Sequence, residues 1–205
     1  MLMKKILILA VMMLTTMTVS AQMRAGSWAV MPKAGFNLST VTDADDASMK
    51  LGLVAGADMI YQINEPLAIS FGVLYSMQGA KAKVKEGGVT VKNTLKMDYV
   101  NVPILANFYV TRGLALKAGI QPGFNVKHKY KADINGNTSE ADIPNYKSFD
   151  FSIPIGISYE ISNFVIDARY NLGVTKLWDA EGSSSKNSVI QLTLGYKIPF
   201  VWLQN

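Results

Sequence analysis

DYVNVPILANFYVTRGLALKAGIQPGFNV, residues 98–126, is two alternating runs with almost nothing between them. In the first, Val100, Val102, Ile104, Ala106, Phe108 and Val110 alternate with Tyr99, Asn101, Pro103, Leu105, Asn107 and Tyr109. In the second, Leu114, Leu116, Ala118, Ile120, Pro122, Phe124 and Val126 alternate with Ala115, Lys117, Gly119, Gln121, Gly123 and Asn125. A strand sends successive side chains to opposite faces, so a period of two predicts a hairpin with one wholly apolar side. Thr111-Arg112-Gly113 joins the arms, and the glycine supplies the positive φ that a three-residue connection requires. Each arm is long enough for the ~9–11 tilted residues with which a β-strand crosses a bilayer.

The same period recurs on both sides of this hairpin. Upstream, strands are expected around Lys33–Leu38 (preceded by Trp28), Leu51–Gln62 and Leu67–Gln78; downstream, around Phe149–Glu160, Phe164–Gly173 and Val189–Ile198. With the two arms of the hairpin this makes eight strands in one domain, residues 22–205. Polar stretches at Thr40–Lys50, Ala80–Met97, Lys127–Ser148 and Thr175–Asn187 read as long loops, with Asn135-Gly136-Asn137 as a turn signal inside the third. Asn64-Glu65-Pro66, Thr111-Arg112-Gly113 and Ser162-Asn163 read as tight turns. Long and short connections alternate, so an up-and-down chain gathers all long loops at one end, as outer-membrane barrels do. The expected fold is all-β, an eight-stranded antiparallel up-and-down transmembrane β-barrel.

The glycines decide which face points inward. Gly35, Gly52, Gly56, Gly72, Gly119, Gly123, Gly156, Gly173 and Gly195 all fall on the polar face. An eight-stranded barrel is just wide enough inside for side chains, so small residues there relieve crowding, whereas outside they only weaken strands. Charges on that face are few and of both signs: Lys33, Lys117, Arg169 and Lys197 against Asp58, Asp150, Glu160 and Asp167. They are expected to form a charge network in the lumen, with Arg169 paired to at least one of Asp58, Asp150 or Glu160, because a lone buried guanidinium is costly. Amides such as Gln62, Gln78, Asn101 and Gln121 fill the rest, so the barrel is expected not to conduct. The apolar face carries no charge, and Tyr61, Phe108, Tyr159, Phe164 and Tyr196 cluster near the tight turns as an aromatic girdle would. Pro103, Pro122 and Pro154 cannot donate to a ladder, and call for bulges or for strand portions rising beyond the paired region.

At the N-terminus, Lys4 and Lys5 precede an apolar run from Ile6 to Leu14, and Val19-Ser20-Ala21 offers small residues where a signal peptidase reads. Residues 1–21 are expected to be a signal peptide cleaved between Ala21 and Gln22. Losing the two lysines lowers the formal net charge from +5 to +3, too small and scattered for a nucleic-acid footprint. Without cysteine the chain has neither a lipid attachment thiol nor a disulfide.

Lys33-Ala-Gly-Phe-Asn-Leu-Ser39, Leu74-Tyr-Ser-Met-Gln-Gly-Ala80, Asp98-Tyr-Val-Asn-Val-Pro-Ile-Leu105 and Arg169-Tyr-Asn-Leu-Gly173 resemble the recurring motifs of the PorT-like outer-membrane β-barrel family. The likeness covers nearly the whole mature chain and implies an architecture similar to OmpX and the OmpA barrel; a link to protein secretion is what it implies about function. The aromatic residue that barrel-assembly machinery recognises would be Phe200 or Trp202, although Leu203-Gln204-Asn205 follow.

Nothing in the chain spells out catalysis. His128 has three lysines around it, poor company for a metal cation, and no spacing joins it with Ser139 into a triad. Thr42-Asp-Ala-Asp-Asp46 resembles the opening of a calcium loop without its glycine or distal glutamate. Neither enzyme activity nor a cofactor is expected. Function is expected in the long loops, first at Lys127, Lys129 and Lys131. Continued alternation would point these three inward over the barrel mouth, with His128 and Tyr130 outward. Asp43, Asp45 and Asp46, or the phosphates of lipopolysaccharide, are the anions that would relieve them. The reading is therefore an outer-membrane barrel of a Gram-negative cell with a structural or interaction role at the surface. Its partners are membrane lipid, lipopolysaccharide and, during biogenesis, the assembly machinery. A soluble periplasmic barrel binding lipid or a small ligand is the alternative.

Overall fold

The computed structural model describes residues 23–42, 47–86, 89–134, 137–142, 147–178 and 184–200. The expected signal peptide, Asp43, Asp45, Asp46 and Trp202 lie outside the described residues. Within them are Trp28–Val41 (β1), Ala47–Asn64 (β2), Leu67–Glu86 (β3), Val89–Asn101 (β4), Ile104–Tyr109 (β5), Leu114–Ile134 (β6), Asn137–Asp142 (β7), Phe149–Ile161 (β8), Phe164–Gly173 (β9), Asn187–Tyr196 (β10) and Ile198–Phe200 (β11).

Every pairing is antiparallel, and the sheet closes on itself where β1 meets β10, Lys33 opposite Gly195 and Val41 opposite Asn187. β4 and β5 share β3 and β6 as neighbours and form one member of the ring. β11 continues β10 along β1, and β7 pairs with β6 outside the ring. The ring thus has eight members, as the alternation predicts. At the short-turn end, Gly113 takes φ 89° and Ser162 takes φ 56°, the left-handed positions of two of the connections read as tight.

Two of the stretches read as loops are largely strand. β3 and β4 run through Ala80–Met97 as a continued hairpin, paired to Glu86 opposite Val89. β6 likewise continues to Ile134 and pairs with β7, Ile134 opposite Asn137; Asn135 and Gly136 of the turn signal lie outside the described residues. The hydrophobic contrast that marks a strand fades here while the period of two persists, as in Lys81-Ala-Lys-Val-Lys85. An outer sheet of β3, β4, β6 and β7 therefore stands beyond the barrel on the long-connection side.

The distribution of polarity is inverted relative to a soluble barrel. Leu51, Val73, Phe108, Leu116, Ile155 and Leu194 are all exposed, Leu51 at 59%. Lys33, Asp58, Lys117, Glu160, Asp167 and Arg169 are buried, Arg169 at 2%. The alternating apolar face is thus the outside wall. At the short-turn end its aromatics touch: Trp28 lies 4.7 Å from Tyr61 between ring centroids, and Phe164 lies 5.1 Å from Tyr196.

The three prolines sit inside the ring, neither beyond it nor on bulges. Pro103 separates β4 from β5, and its carbonyl still accepts Gly72 N at 3.0 Å. The Pro122 carbonyl accepts Val102 N at 2.9 Å. Pro154 lies where the β6–β8 ladder is interrupted, between Ala118 opposite Ile155 and Gln121 opposite Ser152. Pro103 and Pro122 keep their acceptors, and there the ladder gives up only the missing donor.

Inward glycines make room for the buried charges. Gly156 lies opposite Lys117 on one side and Arg169 on the other. A Cβ added there would meet Ala168 O at 2.3 Å and Arg169 Cγ at 2.7 Å, and the carbonyl cannot move without breaking the ladder. Gly156→Ala is expected to destabilise the folded barrel by about 1–3 kcal/mol through overpacking. The urea midpoint of the refolded protein in detergent measures this, and an unchanged midpoint would show that the strands part freely at this level.

Candidate functional site

The interior is layered from the short-turn end upward. Its floor is apolar: Ala29, Met31, Ile60, Ala68, Ala115 and Val165 pack with the ring of Tyr109. Within this layer, beside the tight turns, the Tyr109 hydroxyl donates to Glu160 Oε1 at 2.8 Å and Glu160 pairs with Lys197, whose Nζ stands 5.8 Å from the Tyr109 ring centre.

The middle layer is a chain of alternating charge, Lys33–Asp58–Arg169–Asp167–Lys117. Lys33 pairs with Asp58 and Lys117 with Asp167. Arg169 Nε donates to Asp167 Oδ1 at 2.6 Å, and its Nη2 stands 3.9 Å from Asp58 Oδ2. Glu160 and Asp150, also weighed as partners of Arg169, are held elsewhere. The nearest carboxylate, Asp167, lies two residues away on the same face of β9, a neighbour that the period of two itself supplies.

Neutral amides and hydroxyls follow, with Asn37 Nδ2 donating to Ser76 Oγ at 2.8 Å and Gln121 Nε2 to Ser152 Oγ at 3.1 Å. Asp150 stands at the top, accepting from Thr175 Oγ1 at 2.5 Å and Asn187 Nδ2 at 2.8 Å. Over it lies an apolar lid of Val41, Ala80, Met97, Tyr99 and Leu177, with Leu95 and Trp178 packed against it. Leu177 belongs to the β9–β10 connection and is pinned by two backbone bonds, its N–H to Ser185 O at 3.0 Å and its carbonyl from Lys147 N at 3.1 Å. Thr175, Leu177 and Trp178 sit in a stretch read as polar loop; the Thr-x-Leu-Trp string among serines and charges is the signal that could have marked them.

Three cations and three carboxylates are thus buried between an apolar floor and an apolar lid, and the Glu160–Lys197 pair is buried within the floor itself. Taking charges out of water costs several kcal/mol per ion, and mutual pairing repays this only while both signs are present. Arg169→Ala removes the guanidinium that bridges Asp58 to Asp167 while each carboxylate keeps its lysine, and a loss of about 1.5–3 kcal/mol, the range for a hydrogen bond to a charged group, is expected in urea unfolding of the refolded barrel. A variant as stable as the parent would mean the chain of charge is not structural.

On the outer sheet the expected direction of the lysines is reversed. The β4–β6 register places Asp98 opposite Lys127 and Tyr99 opposite Asn125, so Val126 is an extra residue, a β-bulge. One inserted residue flips every side chain beyond it to the other face. Lys127 therefore faces outward, its Nζ 3.9 Å from Asp98 Oδ2, which also accepts the Tyr75 hydroxyl at 2.9 Å. Lys129 and Lys131 follow on the same face, while His128 turns inward opposite Met97, its Nδ1 2.9 Å from Asn125 Oδ1. Ser139 lies opposite Ala132, four residues along β6 from His128 and so ~13 Å away at ~3.3 Å per residue. The two are not brought together. Across the face, Lys96 Nζ donates to Glu140 Oε1 at 2.6 Å, and this ammonium holds the Glu140 carboxyl below the usual carboxylate range.

Comparison with known proteins bears on the fold. Residues 20–179 match the family model described as outer membrane protein beta-barrel domain. The chain is similar to Ail, the attachment invasion locus protein of Yersinia pestis, at 18% identity and TM-score 0.43, over 86% of this chain and 100% of that one. It is similar to Neisserial surface protein A at 17% identity and TM-score 0.46, over 84% and 97%. Likeness to OprG of Pseudomonas aeruginosa is 12% at TM-score 0.42, over 88% and 99%. No curated protein matches the chain.

Proposed function

We propose a function from one premise, that this chain belongs to the outer membrane protein beta-barrel domain family, its family match spanning residues 20–179. It is an integral barrel of a Gram-negative outer membrane that does not conduct and is not an enzyme, and it acts by holding its outer sheet and loops at the cell surface. The observation that carries this reading is the double closure of the lumen. Apolar residues cover the charge chain at the floor around Tyr109 and again at the lid around Leu177. An ion crossing it would have to pass both layers and displace paired charges between them.

The outward apolar band favours a membrane over the soluble periplasmic alternative, since a contiguous apolar wall on that scale would not stay monomeric in water. Three measurements test the reading together. The protein is expected in the outer-membrane fraction, running differently on gels before and after boiling, and silent in a planar bilayer. Recovery from the periplasm without detergent, or steady single-channel currents, would overturn it.

The PorT-like motifs, Arg169-Tyr-Asn-Leu-Gly173 among them, support a narrower reading with a role in protein secretion. A deletion strain is then expected to lose a specific set of proteins from its culture supernatant by mass spectrometry. An unchanged supernatant would leave the structural role alone.

A further inference from the structure

The bulge at Val126 gives the outer sheet a strongly charged outward face immediately above the apolar wall. Its register sets the charges in rows. Asp98 and Lys127 form the lowest, beside the Tyr75 hydroxyl. Lys96, Lys129 and Asp142 form the next. Above them Ser48, Lys81, Thr94, Lys131 and Glu140 lie side by side across five strands. A cavity of about 520 Å³ opens here, lined by Ser48, Lys81, Thr94, Lys96, Lys131 and Asp133.

Of the side chains described on this face, six are lysines, Lys50, Lys81, Lys96, Lys127, Lys129 and Lys131, against Asp98, Asp133, Glu140 and Asp142. Glu140 is taken by Lys96 and Asp98 by Lys127. The Lys50 ammonium donates to Gln78 O at 2.8 Å. Lys81, Lys129 and Lys131 make no ion pair among the described residues, so they leave a concentrated positive field.

Height identifies the partner. Four residues separate Asp98 from Thr94, ~13 Å along the strand and ~10 Å in height at the tilt of such barrels. The headgroup layer above the hydrocarbon is ~5–8 Å deep on each side. The lower rows therefore lie within it and the upper row at its outer edge, where flexible lysine stems reach back down to phosphates. We propose that this face, centred on Lys81, Lys129 and Lys131, seats the phosphates of an outer-leaflet glycolipid, the bisphosphorylated lipid A of lipopolysaccharide. The inference rests on the membrane placement proposed above.

The test uses the full mature chain folded into phosphatidylcholine nanodiscs with bisphosphorylated or dephosphorylated lipid A, and native mass spectrometry to count retained lipid. The parent is expected to keep the bisphosphorylated form preferentially. The triple variant Lys81→Gln, Lys129→Gln, Lys131→Gln is expected to bind it about a hundredfold more weakly, since each lysine near an anionic surface contributes roughly a factor of five. The corresponding triple arginine variant is expected to keep it. Should the triple glutamine variant fail to fold, the pair Lys81→Gln, Lys131→Gln is expected to lose about twenty-five-fold on the same basis. Equal retention by parent and glutamine variants overturns the seat, and so does displacement of lipid A by millimolar inorganic phosphate, which would make this a soluble-anion site. Parent protein that inserts yet holds both lipid A forms alike overturns this inference alone, whereas parent protein that stays soluble without lipid overturns the membrane reading with it.

Discussion

Eight strands leave an interior that only side chains fill, and that single constraint organises the molecule. Five of the eight charged groups in the lumen face a glycine across the ladder: Lys33 lies between Gly56 and Gly195, Asp58 opposite Gly72, Lys117 and Arg169 on either side of Gly156, and Asp150 opposite Gly123. At Gly72 a Cβ would stand 2.1 Å from Asp58 Oδ1, so the carboxylate occupies the space a side chain would need. Glycine weakens a strand in isolation. Here it admits the ion pairs that tie β1, β2, β6 and β9 together through the centre, and these cross-barrel ties add to the ladder hydrogen bonds.

The same constraint separates stability from surface function. The charge chain is enclosed by the layers around Tyr109 and Leu177, which makes it scaffold and frees the exterior for recognition. Three prolines lie on neighbouring members of the ring and remove donors there, yet the ring holds because their carbonyls remain in use at Pro103 and Pro122. The outer sheet then raises charged residues directly out of the apolar wall, because β3, β4 and β6 run from the ring into the sheet as continuous strands.

Much of this was written in the sequence by itself. The alternation in Asp98–Val126 and its repeats determined eight strands, the tight-turn end and the apolar wall, because a period of two is a local property of the backbone. The glycines determined which face is inside. Lys33, Asp58, Lys117, Asp150, Glu160, Asp167, Arg169 and Lys197 were all legible as inward from parity alone. The Ala80–Met97 and Lys127–Ser148 stretches were not legible as strand by hydrophobicity, because outside the lipid band a strand has no reason to keep one face greasy.

Only the tertiary structure decided who meets whom. Arg169 pairing most closely with Asp167 depends on how far each side chain reaches within a shared lumen. Glu160 going to Lys197 and Tyr109 depends on register around a closed ring. The lid of Leu177 and Trp178 depends on how the β9–β10 connection folds back over the mouth, which no periodicity records. The direction of Lys127, Lys129 and Lys131 turned on one extra residue, Val126. A bulge is invisible to parity counted along a single strand, because it exists only as a mismatch between two.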